Sequence, residues 1–139
     1  MALITIEEGV FYLLSNNVAV GAIVSNRIYP IKLPQKPSLP ALTYQLITPM
    51  SIMAHDGKGG TAHSRYQITG FATDPDEVRD LIEKVRICMD GYSGMIGGAD
   101  TIKVQAMLPD GGGPEDHDPV TQRFMRSRDY MIWYDEPII

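Results

Sequence analysis

The stretch DPDEVRDLIEKVRICM, residues 74–89, is the clearest secondary-structure signal in this 139-residue sequence. Asp74 can cap a helix, Pro75 takes the first helical position, where its missing N–H costs nothing, and Glu77 can complete a capping box. An apolar stripe follows at helical spacing, and Gly91 supplies the stop. The sequence therefore predicts an amphipathic helix that begins at Asp74 and ends before Gly91. Its apolar stripe consists of Val78, Leu81, Ile82, Val85 and Met89.

Strands are predicted on both sides of this helix. Residues 41 to about 52 and 65–72 are rich in β-formers and are separated by glycines, which indicates a hairpin. Residues 101–108 alternate strictly between apolar and polar side chains, and residues 122–134 form the last predicted strand. The strict alternation in the third strand places on one face Ile102, Val104, Ala106 and Leu108.

A further helix is predicted near the start of the chain, over residue 5 to about residue 15. Thr5 and Glu8 form a capping-box pattern, and apolar residues follow at helical spacing. Pro34, Pro37 and Pro40 then indicate an extended connection. The element order predicts one α+β domain over residues 1–139, with two helices on one face of a four-stranded antiparallel or mixed sheet.

Two glycine-rich loops, at about residues 49–62 and 109–119, are expected to be mobile. The second is too rich in glycine, proline and acidic residues for regular structure. Both loops are candidate contact surfaces, because flexible segments often become ordered against a partner.

The last strand is apolar on both of its faces. Tyr130, Ile132 and Tyr134 fall on one face, and Met131 and Trp133 fall on the other. Two helices can cover only one face of the predicted sheet. We therefore expect a neighbouring subunit to cover Met131 and Trp133.

The composition limits the functional classes. Its 44% hydrophobic and 21% charged residues are typical of a folded globular domain. The net charge of -5 argues against a broad nucleic-acid-binding surface. The single cysteine, Cys88, excludes an intramolecular disulfide, and no apolar run approaches the ~20 residues that would span a bilayer. We expect an intracellular origin, no signal peptide and no membrane partner.

The candidate catalytic and metal-binding residues are few. His55 with Asp56 and His63, or His117 between two acids, could supply metal ligands, but no spacing matches a known metal motif. Cys88 has no adjacent base. We predict no metal, no cofactor and no catalytic residue, and hence no enzyme; a small metal-dependent enzyme using His55, His63 and His117 is the least favoured alternative.

One basic and aromatic cluster lies at the start of the last strand, where Arg123, Arg126 and Arg128 flank Phe124 and Tyr130. Such a cluster can contact nucleic-acid phosphates. Because the chain is acidic, pairing with acids of a neighbouring subunit is the favoured interpretation.

Several segments, in this order, resemble the tail-completion, or tail-terminator, family of siphophages, prophages and gene transfer agents. The resemblance covers nearly the whole chain, although each motif is a structural pattern that carries no chemistry. The segments are Asn26-Arg27-Ile28-Tyr29-Pro30, Leu39-Pro40-Ala41-Leu42-Thr43-Tyr44-Gln45, Ser64-Arg65-Tyr66-Gln67-Ile68, Met89-Asp90-Gly91-Tyr92-Ser93-Gly94 and Arg128-Asp129-Tyr130-Met131-Ile132-Trp133-Tyr134.

The resemblance implies a virion protein that is assembled in the host bacterial cytoplasm. It implies a hexameric ring that docks on the tail tube protein, stops tube polymerisation and meets the head-tail connector protein, while DNA passes through the lumen without specific binding. A head-completion or connector-adaptor protein on the portal side is the alternative. The expected interface residues are Met131, Trp133, Arg123, Arg126, Arg128, His55, Asp56 and Lys58, and the expected lumen-facing or partner-facing acids are Asp110, Glu115, Asp116 and Asp118.

Overall fold

The computed structural model describes residues 6–51, 61–96 and 102–135, with the backbone alone described at 48–51, 61 and 62. The described residues form three helices and seven strands. The helices are α1 (Ile6–Asn16), α2 (Val18–Val24) and α3 (Pro75–Met89). The strands are β1 (Ile28–Pro30), β2 (Ala41–Ser51), β3 (Thr61–Ala72), β4 (Gly94–Ile96), β5 (Ile102–Pro109), β6 (Asp116–Asp118) and β7 (Arg123–Asp135).

All seven strands belong to one curled mixed sheet with the order β1-β2-β3-β7-β5-β4, and β6 pairs with β7. β1 and β2 are parallel, and the other pairs are antiparallel. The α+β class is confirmed, but the prediction of two helices and four strands is wrong. The missed strands β1, β4 and β6 are three residues long. Such strands carry too few residues for a periodic pattern, and pairing with the longer strand that follows each of them holds them in place.

Helix α3 matches its prediction closely. The Asp74 side chain accepts a hydrogen bond of 2.8 Å from the Asp76 N–H, and Pro75 is the first residue of the helix. The apolar stripe is buried along its whole length. The helix ends at Met89, and Gly91 follows with a φ of +71°, in the left-handed region that glycine adopts without a Cβ penalty.

Helices α1 and α2 both contribute buried side chains to the core, but the sequence predicts only α1. The predicted first helix is confirmed as α1, while its proposed cap Thr5 lies outside the described residues. α2 was missed, although Asn17 caps it by accepting a 3.0 Å hydrogen bond from the Val20 N–H. None of the helices in the described ranges is long and apolar enough to cross a membrane.

α1 connects the two ends of the sheet, because it contacts β1 and β2 on one side and β4 on the other. Gly9 allows the close packing on β4: a Cβ atom at this position would lie 2.7 Å from Ile96 Cδ1. A larger residue at position 9 would therefore push Ile96 aside.

The alternation in β5 reverses halfway along the strand. The register with β7 shifts between Val104 and Ala106, so that Val104 lies opposite Tyr134 and Ala106 opposite Trp133. The extra residue of a bulge turns the following side chains to the other face. Met107 is therefore fully buried while Leu108 is 48% exposed, and the prediction that Ala106 and Leu108 share a face with Ile102 and Val104 is wrong beyond the bulge.

Both predicted loops are shorter than expected. β2 continues to Ser51 and β3 starts at Thr61, so the antiparallel hairpin is confirmed and extends into the predicted loop 49–62; residues 52–60 lie outside the described residues. In the second loop, Asp116–Asp118 forms β6 and pairs with β7. The prediction that this loop lacks regular structure is wrong there, because Asp116–Asp118 forms a short hairpin with the start of β7, and this pairing outweighs the weak strand preference of its residues.

Candidate assembly surfaces

The helices lie on the face of the sheet that carries the core, and we call the opposite face the outer face. Tyr130 and Ile132 of β7 are fully buried in the core, so the alternating residues Met131 and Trp133 point to the outer face. Both are half-buried. The predicted apolar character of both faces of β7 is therefore confirmed.

The imidazole of His63 on β3 contacts both Trp133 and Met131 on the outer face. Its ring stacks on the indole of Trp133 with centroids 4.3 Å apart and an interplanar angle of 21°. Its Nδ1 lies 3.4 Å from the Sδ atom of Met131. Leu108 lies opposite Met131 in the register and adds a further exposed apolar side chain. We call His63, Leu108, Met131 and Trp133 the outer patch.

A charged network lies beside the outer patch. Asp129 is only 8% exposed, and its Oδ2 accepts hydrogen bonds from Arg65 Nε at 3.1 Å and from an Arg65 terminal nitrogen at 2.8 Å. Its Oδ1 accepts a 3.1 Å bond from Gln67 Nε2. Arg65 also donates to the Asp110 carboxylate at 3.0 Å. The network fixes the register of β3 and β7 and of the loop that follows β5.

The glycine-rich loop after β5 lies directly on β7. The Gly113 N–H donates a 2.9 Å hydrogen bond to Ser127 Oγ, and the Asp129 N–H donates a 2.9 Å bond to the Gly111 carbonyl. At Gly112 a Cβ atom would lie 2.4 Å from the Ser127 carbonyl oxygen. Only glycine allows this close approach of the two backbones, since backbone cannot yield as a flexible side chain can.

Glu115 links this loop to two other elements. Its carboxylate accepts hydrogen bonds of 2.9 and 3.1 Å from Arg79 Nε of α3 and forms a 3.4 Å ion pair with Arg126 of β7. The hydrogen bond from Arg79 is the main reason that the pKa of Glu115 is lowered. Arg126, expected at an interface, and Glu115, expected to face the lumen or a partner, are thus paired within one chain.

The pH dependence of stability tests this link. The pKa of Glu115 is lower in the folded protein than in the unfolded chain. Its contribution to the free energy of unfolding is therefore complete above the ordinary glutamate pKa of about 4.3 and is lost as the pH falls below that value. Glu115→Gln should therefore lower the unfolding midpoint at neutral pH, and its difference from the wild type should shrink below about pH 4. Urea titrations across this range measure the effect. Asp116→Asn, in the same loop, is the control, and an equal pH-dependent loss in it would contradict the assignment.

The other predicted acids and arginines also have contacts within the chain. The Val120 N–H donates to Asp118 and is the main cause of its lowered pKa, while Asp116 accepts a 2.8 Å bond from the His117 N–H. Arg123 lies opposite Asp118 in the register of β6 and β7.

Arg128 belongs to a cluster that attaches the end of α3 to β7. Its terminal nitrogen lies 3.1 and 3.3 Å from the two Asp90 carboxylate oxygens, and its Nε donates a 3.1 Å bond to the Tyr130 hydroxyl. That hydroxyl donates to Asp90. Burial and the Asp90 hydrogen bond raise the pKa of Tyr130. The Tyr130 hydroxyl thus both accepts and donates a hydrogen bond in the cluster that holds the C-terminal end of α3.

Tyr66 offers a direct comparison, because its buried hydroxyl makes no hydrogen bond of normal geometry with the described residues, although the Glu7 carboxylate lies close enough to interact with it. Burial raises its pKa, and the nearby Glu7 carboxylate adds to the rise. Tyr130→Phe should lower the free energy of unfolding by about 1–2 kcal/mol, whereas Tyr66→Phe should leave it unchanged or raise it by about 1 kcal/mol. Chemical denaturation measures both variants. Equal losses would show that Tyr66 has a hydrogen bond comparable to that of Tyr130.

Three predicted interface residues and the excluded nucleophile Cys88 remain. His55, Asp56 and Lys58 lie outside the described residues. Burial raises the pKa of the Cys88 thiol to about 11, so the thiolate is scarce at neutral pH. In the described ranges, no group of three His, Cys, Asp or Glu side chains is arranged to hold a metal ion.

Comparisons with known proteins agree with this fold. The family model described as "Tail completion protein gp17" matches residues 8–134. Among solved structures, a chain from "Virion of native gene transfer agent (GTA) particle" matches with a TM-score of 0.67 and 12% sequence identity, over 92% of each chain. A search of curated proteins gave no match. The resemblance seen in the sequence is confirmed: the chain belongs to the tail completion protein gp17 family, a family of structural phage tail proteins, and is located in the virion.

Proposed function

We propose that the protein is a tail terminator. Copies of the chain form the hexameric ring that the family resemblance implies, and this ring caps the tail tube and stops its polymerisation. The free side of the ring meets the head-tail connector protein. The role is structural and involves no catalytic step.

The outer patch is the observation that carries this proposal. A tryptophan and a methionine stand half-buried on the sheet face away from the helices, and Leu108 beside them is 48% exposed. Aromatic residues and methionine are enriched in protein interfaces, while a patch of this kind is uncommon on a protein that works alone. A ring places such a patch against a neighbouring copy or against the tail tube.

The charge distribution fits a lumen through which DNA passes without specific binding. Each copy carries a net charge of -5, and closing a ring multiplies this charge around a common axis. Arg65, Arg79, Arg126 and Arg128 are all paired with carboxylates of the same chain. The paired guanidinium groups offer little attraction to phosphates, so DNA can slide without sticking.

Assembly without this protein tests the proposal. Tails made in its absence should be abnormally long or should fail to join heads, and restoring the wild-type chain should correct both defects. Electron microscopy of the particles measures tail length and joining. Normal tail length and normal joining would refute the terminator role, and copurification with head intermediates alone would identify a head-completion adaptor on the portal side.

A further inference from the structure

One edge of β2 is only partly paired. β1 covers this edge from Leu42 to Tyr44, and the last main-chain bond there runs from the Ile31 N–H to the Tyr44 carbonyl at 2.9 Å. In a strand, the N–H and C=O groups of every second residue point to the same edge. Those of Leu42 and Tyr44 point to the β1 edge, so those of Leu46 point to it as well. Within the described parts of the chain, no further strand pairs with this edge between Gln45 and Ser51. β2 has a bulge between Leu46 and Thr48, so the regular part of this open edge lies at Gln45 and Leu46, next to the end of β1, and another strand can be added there.

A groove of about 260 Å³ opens where β1 leaves the edge, and we call it the β2 groove. Its wall includes Ile31, which is 67% exposed and has a φ of +68°. This backbone conformation is rare for a β-branched residue and requires support from its surroundings. The strained conformation holds an aliphatic side chain at the rim instead of in the core. The lining residues are Glu7, Pro30, Ile31, Tyr44, Gln45 and Leu46.

The β2 groove has an acidic end. Glu7 of α1 lines it. Burial raises the pKa of the Tyr44 hydroxyl, and the nearby carboxylates of Glu7 and Glu8 add to the rise. An apolar surface beside these carboxylates is complementary to an aliphatic side chain next to a basic one.

We propose that the open edge of β2 and the β2 groove bind an extended segment of another virion protein, in which an apolar side chain stands two residues from a lysine or arginine. The segment pairs with the same edge of β2 as β1 does, and it lies beside Leu46, just past the end of β1. Residues two apart in a strand share one face, so the apolar side chain enters the groove while the basic one reaches Glu7. Main-chain hydrogen bonds supply affinity, and the groove supplies specificity.

A second copy of this chain fits the groove poorly. Among the described residues, the extended segments with a basic side chain two residues from an apolar one other than proline lie in β7, as at Arg126 with Phe124, and at the start of β1, where Arg27 precedes the strand and Tyr29 lies in it. Both strands are already paired within the sheet. The occupant is therefore a different protein.

Photo-crosslinking in assembled particles tests this proposal. Ile31 is replaced by a photo-reactive phenylalanine derivative, with the same replacement at Ile87, which is 63% exposed on α3, as the matched control. Position 31 should capture a segment of another virion protein containing the apolar and basic pair, identified by mass spectrometry, and position 87 should not capture it. Adding Glu7→Lys should reduce capture about tenfold, whereas Glu77→Lys, a first-turn acid of α3 with the same charge change, should leave it within about twofold.

Several outcomes would overturn the proposal. These are capture of a copy of this chain, capture of a segment without a lysine or arginine, equal capture from position 87, and absence of capture in particles that contain the protein. The result does not depend on the terminator role. Capture is measured in whatever particles carry the chain, whereas tail length measures the terminator role separately.

Discussion

Trp133→Ala should leave the domain folded and reduce the yield of complete particles by about thirtyfold or more. Trp133 is half-buried on the outer face and stacks on His63, whose ring centroid lies 4.3 Å away. If the outer patch is an assembly interface, this indole is its largest anchor, and truncating such an anchor commonly costs 2 kcal/mol or more of binding free energy, which corresponds to about thirtyfold. Plaque or transduction titres measure the yield, and circular dichroism of the purified variant reports its folding.

Tyr12→Ala is the matched control for this loss. Tyr12 is also an exposed aromatic residue, at 44%, but it lies on α1 away from the outer patch. Its truncation should leave the titre nearly unchanged. Equal losses in the two variants, or a wild-type titre for Trp133→Ala, would remove the outer patch from the assembly interface.

Asp129→Ala should lower the free energy of unfolding by about 2–3 kcal/mol. Asp129 is 8% exposed and accepts hydrogen bonds from Arg65 and Gln67. Its removal leaves both donors without their shared acceptor in a position with little access to water. Urea denaturation followed by tryptophan fluorescence measures the change.

Asp110→Ala separates burial from charge in the same network. Asp110 also pairs with Arg65, at 3.0 Å, but its side chain is 46% exposed. Solvent screens this pair, so the loss should be much smaller than for Asp129→Ala. Similar losses in both variants would show that the network depends on the total charge around Arg65 and not on the buried carboxylate.

Local signals in the sequence predict the long elements of this fold. The start of α3 is set by Asp74 and Pro75, whose capping and φ preference act within one helical turn. The bulge in β5 has no such signal, because its cause is the register that β5 adopts against β7, a strand distant in sequence. β1 likewise depends on parallel pairing with β2. The α2 helix is an intermediate case: Asn17 was a usable capping signal, but the β-branched residues that follow it obscured the helical pattern.

For the candidate surfaces, too, the sequence predicts what depends on local pattern and misses what depends on contacts between distant residues. Met131 and Trp133 follow from alternation along β7 alone. The partnership of Arg65 with Asp129 does not, because these residues are 64 positions apart and only the register of β3 and β7 brings them together. The pairing of Arg126 with Glu115 within the chain also depends on the position of the second loop against β7.

The position of α1 has a consequence for how the domain opens. Since this one helix contacts β1 and β2 as well as β4, its detachment would uncover the first and last strands of the sheet order in a single event. Amide hydrogens in β1 and β4 should then exchange with solvent at a common opening rate, although the strands are at opposite ends of the sheet order. Detachment of α1 would thus expose two strand edges at once, and exposed strand edges can pair with other chains and lead to aggregation.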